Sequence, residues 1–425
     1  MMTPQENELM CRVEGGAPMG QIMRRHWLPA LLSEELPEPD GDPVRVRLLG
    51  ESLVAFRDSD GKVGLIGEFC PHRNASLFYG RNEECGLRCL YHGWKVDVHG
   101  NVLEMSSEPP GSGFAAKVKH KSYPTHEAAG FIWTYMGPAE EMPPFEAPVF
   151  APTPDTKISI CKVVVNCNWA QILEGAIDSA HSSTLHASDM VPARVDSAKA
   201  TDQNWLRPST DKAPRLQVQQ ADFGFRYVAI RRPIMNADTH EYIRMTLFIA
   251  PYTVLIPPNN IYRIALLHVP MDDTHTAFHF IAFGGDTTPD QETWREFNAL
   301  QVGIDVDQTY RNTRSRANNY RQDRKAMKSG SWTGVPGIPN QDIVMWETMG
   351  ALADRSRDRL GASDVAIIAF RRQMLEAAKA MEAGGAAIAT GTSRTPHAKL
   401  SSFEGIVPKT TDWRSLGTGA TQAAE

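Results

Sequence analysis

Two short segments carry the most reactive side chains. Cys70-Pro71-His72 and Cys89-Leu90-Tyr91-His92 each offer one thiolate and one imidazole, with sixteen residues between His72 and Cys89. Two loops that give one Cys and one His apiece suit a 2Fe–2S cluster in which both Cys bind one iron and both His the other. Imidazoles in place of two thiolates leave such a cluster less negative, so it accepts an electron more readily than an all-Cys centre. The competing chemistry is a structural Cys2His2 zinc site, but zinc fingers usually keep their cysteines on one arm and their histidines on the other. The spacing favours redox iron. Cys85 lies between the segments, is required by neither, and reads as a spare thiol.

A second constellation is Asp178-x-x-His181-x4-His186, one turn after Glu174. Two histidines and a carboxylate can form a facial triad on ferrous iron, with positions left open for O2 beside an organic substrate. Histidines five apart stand about 140° apart on an ideal helix. A helix through this segment must therefore end or bulge between them, and Ser182-Ser183-Thr184 is the expected break. Standing alone, such a pair is more often surface or core than ligand; an upstream electron donor gives it a task. Spacing leaves the third ligand open among Asp305, Asp307, Asp323, Asp342, Glu347 and Asp354.

The elements that must position these groups are readable in outline. Asp60-Gly61 and His99-Gly100-Asn101 are turn signals flanking half-apolar stretches, so the cluster segments read as loops between β-hairpins. Pro71 suits a loop that needs no ladder hydrogen bond. Residues 1–137 form the cluster domain with an N-terminal extension, and 138–157 a Pro-rich linker. Residues 158–388 open with β-branched strands (158–167, 225–233, 241–252, 261–270, 276–283) and close with helical periodicity. That periodicity covers Trp294 to Ile304, 341–360 and about 363–382. Residues 389–425 read as a flexible tail. Strands followed by helices predict an α+β fold.

Composition narrows the function class. The 44 basic and 50 acidic side chains leave a net charge of −6, no footprint for nucleic acid. No stretch approaches the roughly 20 apolar residues of a membrane span. MMTPQENELM lacks the basic and apolar regions of a signal peptide, and six irregularly spaced cysteines make no disulfide framework. The expectation is a soluble, cytoplasmic protein.

The run CPHRNASL…CLYHGW resembles the Rieske domain of ring-hydroxylating oxygenases, and D-x-x-H-x4-H resembles the iron motif of Rieske non-haem oxygenases. The likeness spans nearly the whole chain. It implies an all-β Rieske domain followed by a helix-grip-type catalytic domain with an antiparallel sheet and C-terminal helices. Cys70, His72, Cys89 and His92 would bind the 2Fe–2S cluster, and His181 and His186 a mononuclear Fe(II). Asp178 would bridge a ligand histidine of this site to a cluster histidine of a neighbouring subunit, within a homotrimer or two stacked trimers. The stretch Asn340-Gln341-Asp342 to Glu347 resembles the phthalate dioxygenase branch, which makes Asp342 the third ligand and Glu347 a structural acid.

The implied activity is cis-dihydroxylation of an aromatic carboxylate, phthalate to its 4,5-dihydrodiol, with O2 and an NADH-dependent flavin/iron–sulfur reductase. The alternatives are O-demethylation of a methoxybenzoate such as vanillate and, from another class, a zinc-stabilised binding protein without redox activity. An aromatic dicarboxylate needs cationic partners, and Arg forks match carboxylates best. Arg207 and Arg244 lead, with Arg226, Arg231, Arg232 and Arg263 behind them. On strand parity Arg244 shares a face with Tyr242, Thr246 and Phe248. Ser179 is a further candidate pocket donor.

Overall fold

A computed structural model describes residues 2–109, 111–202, 204–257, 261–391 and 395–417. The chain divides into two compact units, Val13–Glu146 and a second made of Met1–Arg12 with Ala147–Glu425.

The first unit is built from antiparallel sheets. Glu51–Arg57 and Val63–Gly67 pair in one four-stranded sheet; Gly86–Arg88, Trp94–Val96 and Val102–Met105 lie in another. The expected turns are present. Asp58 Oδ1 accepts the backbone N–H of Asp60 and Lys62, and Asp97 Oδ1 those of His99 and Asn101. Gly100 has φ +79°, and a Cβ there would stand 2.3 Å from the His120 carbonyl oxygen, so only glycine fits this turn. Val54, Phe56, Ile66, Leu77, Leu87 and Val96 close a core around Cys70 and Cys89.

The second unit is organised by an eight-stranded antiparallel sheet. Its strands run Lys157–Val165, Thr276–Gly284, Arg263–Pro270, Thr253–Ile256, His240–Ile249, Gly224–Arg231 and Arg215–Ala221 in spatial order. Strand His240–Ile249 forks: its last three residues pair with Thr253–Ile256, its first six with Phe403–Pro408. The helices Trp169–Ala176, Ile338–Thr348 and Val365–Glu382 belong to this unit. Gly175 lies flush against the indole of Trp346; a Cβ there would meet Nε1 at 2.2 Å, which lets the first two of these helices approach closely.

Several boundaries differ from expectation. Residues up to Arg12 belong with the second unit, because Arg12 pairs with Asp273 at 2.7 Å and the buried Asn168 amide donates to Cys11 O. The tail expected beyond 389 contributes Phe403–Pro408 to the main sheet; 392–394 and 418–425 lie outside the described residues. The helix through Trp294 ends at Phe297 because Ala299 takes φ +50°. The run over 341–360 is a helix only to Thr348, ending just before Gly350 at φ +102°. No helix among the described residues is long and apolar enough to cross a membrane.

Candidate metal centres and substrate cavity

Cys70 and Cys89 head two loops with the same backbone wiring. Cys70 N donates to Ala75 O and Asn74 N to Cys70 O; Cys89 N donates to Trp94 O and Gly93 N to Cys89 O, all at 2.8–3.0 Å. Each loop turns through a positive φ four residues after its cysteine, at Asn74 and Gly93. Both thiols are buried. The His72 ring stacks on Trp94 (4.5 Å, 7°) and meets the His92 ring at 4.4 Å. His72 Nδ1 is buried without a hydrogen-bond partner among the described residues, as a nitrogen reserved for a metal should be. Burial pushes the Cys70 thiol up to about 11, against the backbone N–H of His72, which favours the thiolate. A cationic metal offsets that penalty. Among the described residues the only trio of donor atoms mutually within 4.8 Å lies elsewhere. Ligands of one tetrahedral zinc would stand about 3.3–3.8 Å apart. The two Cys and two His are spread wider than that and can hold a two-iron cluster.

That other trio is His181, His186 and Asp342. His181 Nε2 stands 3.2 Å from His186 Nε2, and Asp342 Oδ1 stands 3.4 and 3.3 Å from the two nitrogens. Three adjacent positions around one ion with bonds near 2.1 Å stand about 3 Å apart, so these residues fit a facial triad. The expected helix break comes earlier than Ser182: the helix ends at Ala176 and His181–Ser183 forms a 3-10 turn. Asp178 builds that turn, its Oδ1 accepting the backbone N–H of Ala180 (2.8 Å) and His181 (3.3 Å). Asp178 Oδ2 also faces His181 Nδ1 at 3.6 Å. Burial works against the His181 imidazolium, yet Asp178 and Asp342 outweigh it and raise its pKa.

Gln341, quoted in the motif but given no role there, fixes the other histidine. Its Nε2 donates to Asp189 Oδ2 (2.8 Å) and Val335 O (3.0 Å), so Oε1 faces His186 Nδ1 at 2.8 Å. Nδ1 must then carry the proton, which leaves Nε2 free toward Asp342. The remaining carboxylates have other partners. Asp305 pairs with Arg314, and Asp307 accepts Thr309 and Arg311 N–H. Asp323 and Asp354 cap short helices, and Glu347 accepts from Asn166 and Tyr320.

A cavity opens above the trio. Asp178, Ser179, His181, His186 and Asp342 line one side; Ile264, Leu266, Phe278 and Phe280 supply apolar wall, and Arg244 is the charged residue opposite. Arg207 does not line it but lies just behind, donating to Ser182 and Ser183 hydroxyls at 2.9 and 3.0 Å. Arg231, held in reserve on sequence grounds, is 1% exposed and donates to the Ser179 carbonyl at 2.7 Å. Burial, then Arg207 and Arg244, push Arg231 down to about 9. Burial also lowers Arg207, whereas Arg244 is raised because Glu404 outweighs its burial. Arg244 pairs with the buried Glu404, whose charge Arg207 and Arg231 also feel through space. Glu404 and Tyr242 have no distinguishing sequence signal beyond the face Tyr242 shares with Arg244. Arg226 and Arg263 are engaged elsewhere, with Gln219 and the Phe283 ring, and Arg232 is exposed away from the cavity lining.

Residues 26–124 match the Rieske [2Fe-2S] domain, and residues 134–425 the family described as LigXa C-terminal domain like. The chain is 61% identical over 415 residues to the phthalate 4,5-dioxygenase oxygenase subunit of Pseudomonas putida, covering 97% of this chain and 94% of that one. It is 34% identical to the 3-chlorobenzoate-3,4-dioxygenase oxygenase subunit of Comamonas testosteroni over 98% of each. The crystal structure of dicamba monooxygenase bound to 3,6 dichlorosalicylic acid shares the fold at TM-score 0.56 and 18% identity, over 85% of this chain and 98% of that one. Paired cluster loops, a facial triad and these matches lead to one conclusion. The chain belongs to the Rieske non-haem iron ring-hydroxylating oxygenases, oxidoreductases that carry a 2Fe–2S cluster and a mononuclear iron and draw electrons from a separate reductase.

Proposed function

We propose that this protein is the terminal oxygenase that cis-dihydroxylates phthalate at ring carbons 4 and 5. The observation that carries the reading is the guanidinium nest beside the triad. Buried cations require anions, and Arg207, Arg231 and Arg244 outnumber the one carboxylate among them, Glu404. An aromatic dicarboxylate brings two negative charges to this nest, while the apolar wall takes its ring.

In this reading Cys70, His72, Cys89 and His92 hold the cluster, and His181, His186 and Asp342 the mononuclear ion. When bound, the cluster supplies single electrons and the ion binds and activates O2. The chain's own part is placement. Arg244 orients a carboxylate directly, with Ser179 as a further donor and Arg207 acting from behind the wall through the Ser182 hydroxyl, so that the far edge of the ring faces the triad. Asp178 holds His181 and is also exposed to a second cleft, lined by Arg355, Asp358 and Arg371. That position supports a bridge to the cluster of a neighbouring copy, whose loop tip presents Leu90 and Tyr91, 63% and 58% exposed. A homotrimer or stacked double trimer follows, fed by an NADH-dependent flavin/iron–sulfur reductase.

The test is O2 uptake by the metal-loaded protein with such a reductase across phthalate, benzoate, 3-chlorobenzoate and vanillate, with product identification. Phthalate-dependent uptake matched by a 4,5-cis-dihydrodiol is expected. Formaldehyde from vanillate with no diol from phthalate overturns the reading in favour of O-demethylation.

A further inference from the structure

Glu404 has no task in the reaction as described so far. It lies on strand Phe403–Pro408 directly opposite Arg244 in register, and is 1% exposed. Its Oε1 accepts from Tyr242 Oη and, at 3.2 Å, from Arg244 Nη1. Its Oε2 is buried without a hydrogen-bond partner among the described residues, as are Arg231 Nε and Nη1 and Arg207 Nε. The charged and titratable groups around it come from three strands. They are Arg244 and Tyr242 on His240–Ile249, Arg231 on Gly224–Arg231, and Arg207 on Trp205–Arg207. All four are buried.

We propose that Glu404 is the proton-linked counter-ion of the carboxylate subsite: it balances the guanidinium nest while the cavity is empty and takes up a proton when a dicarboxylate arrives. The inference rests on the reading that this nest binds a dicarboxylate. Two substrate carboxylates, one of them on Arg244 at the cavity wall, supply the negative charge that Glu404 had provided to the nest. Like-charge repulsion in a desolvated site then drives Glu404 to its neutral form. The proton comes from solvent, and nothing is oxidised or reduced. Tyr242 and Arg244 continue to donate to Oε1.

Burial already raises Glu404 to about 7 in the empty site, against the pull of Arg244 and Tyr242. About half is therefore ionised at pH 7 and about nine-tenths at pH 8, and the Kd for phthalate should rise about five-fold between them. Glu404→Gln is neutral at every pH and keeps an acceptor for both donors.

The experiment is calorimetric titration of the metal-loaded protein with phthalate in buffers of different ionisation enthalpy, from pH 6.5 to 8. The native protein should take up about half a proton per phthalate at pH 7 and bind progressively more weakly above it. Glu404→Gln should lose that uptake and that slope. Tyr242→Phe removes a donor that favours the ionised form and should move the inflection to higher pH, a shift that a purely structural glutamate would not produce. Equal uptake in native protein and Glu404→Gln overturns the role of Glu404 while leaving the dicarboxylate reading intact, as does a pH-independent Kd in the native protein. Phthalate that binds none of the three proteins overturns both. Should Glu404→Gln fail to fold, native uptake and the Tyr242→Phe shift decide the matter.

Discussion

Replacing Gln341 by leucine removes the acceptor that sets the His186 tautomer and leaves both ligand residues in the chain. Native Gln341 Oε1 lies 2.8 Å from His186 Nδ1, while Nε2 donates to Asp189 Oδ2 and Val335 O at 2.8 and 3.0 Å. Leucine fills a similar volume but strips partners from an imidazole N–H, a carboxylate oxygen and a carbonyl in a buried setting. Orphaning a buried polar group costs about 1–3 kcal/mol, so losing all three partners costs roughly 3–9 kcal/mol against a typical total stability of roughly 5–15 kcal/mol, and the denaturation midpoint of the variant should fall well below the native one. Losing a partner of this kind weakens metal binding about 10–100-fold, or about 1.4–2.8 kcal/mol. Equilibrium dialysis of Fe(II) against a competing chelator reads the affinity directly, with far-UV circular dichroism and the denaturation midpoint as the check on folding. Gln341→Glu restores the acceptor at His186 while setting a second carboxylate beside Asp189, so it should hold iron near native affinity at a cost in stability. Native Fe(II) affinity in Gln341→Leu would refute the claim that this hydrogen bond presents His186 to the metal.

Three further substitutions test separate links. Asp178→Asn should retain both metals and phthalate binding but lose most coupled turnover, read as product per NADH; near-native product formation removes the bridge. Arg244→Met deletes a charge-assisted partner worth about 1.5–3 kcal/mol and should raise the phthalate Kd about 10–150-fold, with benzoate binding much less affected. An equal effect on both ligands would argue for a structural arginine. Glu174 accepts from Arg355 and Arg371 at 2.8 Å; burial would raise its pKa, but the two guanidiniums outweigh that and hold it low. Removing it as Glu174→Ala leaves two buried cations unpaired and should cost about 3–5 kcal/mol in denaturant unfolding. Because its folded pKa is depressed, its contribution is complete above the usual glutamate range and fades as pH falls through the folded value. A midpoint unchanged from pH 7 to pH 4 would contradict this.

The cluster loops are legible in sequence because ligand and turn residues fall within a few positions of one another, where spacing constrains geometry directly. The His181–His186 pair is legible for the same reason. Asp342 is not, since spacing alone leaves six carboxylates in competition. The decision is made by packing: Gly175 admits Trp346, Gln171 donates to the Trp346 carbonyl, and helix Ile338–Thr348 is thereby set against the iron histidines. Gln341 reaches His186 across 155 positions by the same contact. Glu404 is hidden by composition. It follows a Gly/Ser/Thr/Ala-rich stretch that reads as loose chain, and only a free edge beside the first half of His240–Ile249 makes a strand of it. Arg231 ranked behind Arg244 because parity shows which residues share a face but not how deeply each is buried.

The discontinuous catalytic unit bears on biogenesis. Val13–Glu146 is contiguous, so everything that grips the iron–sulfur cluster has left the ribosome while much of the polypeptide is still unmade. The fold around the lone iron needs both helix Pro4–Cys11 and the late strand Phe403–Pro408. Cluster insertion can thus precede the very existence of the oxygen-handling pocket, and a nascent protein can be redox-active before it is able to misuse O2.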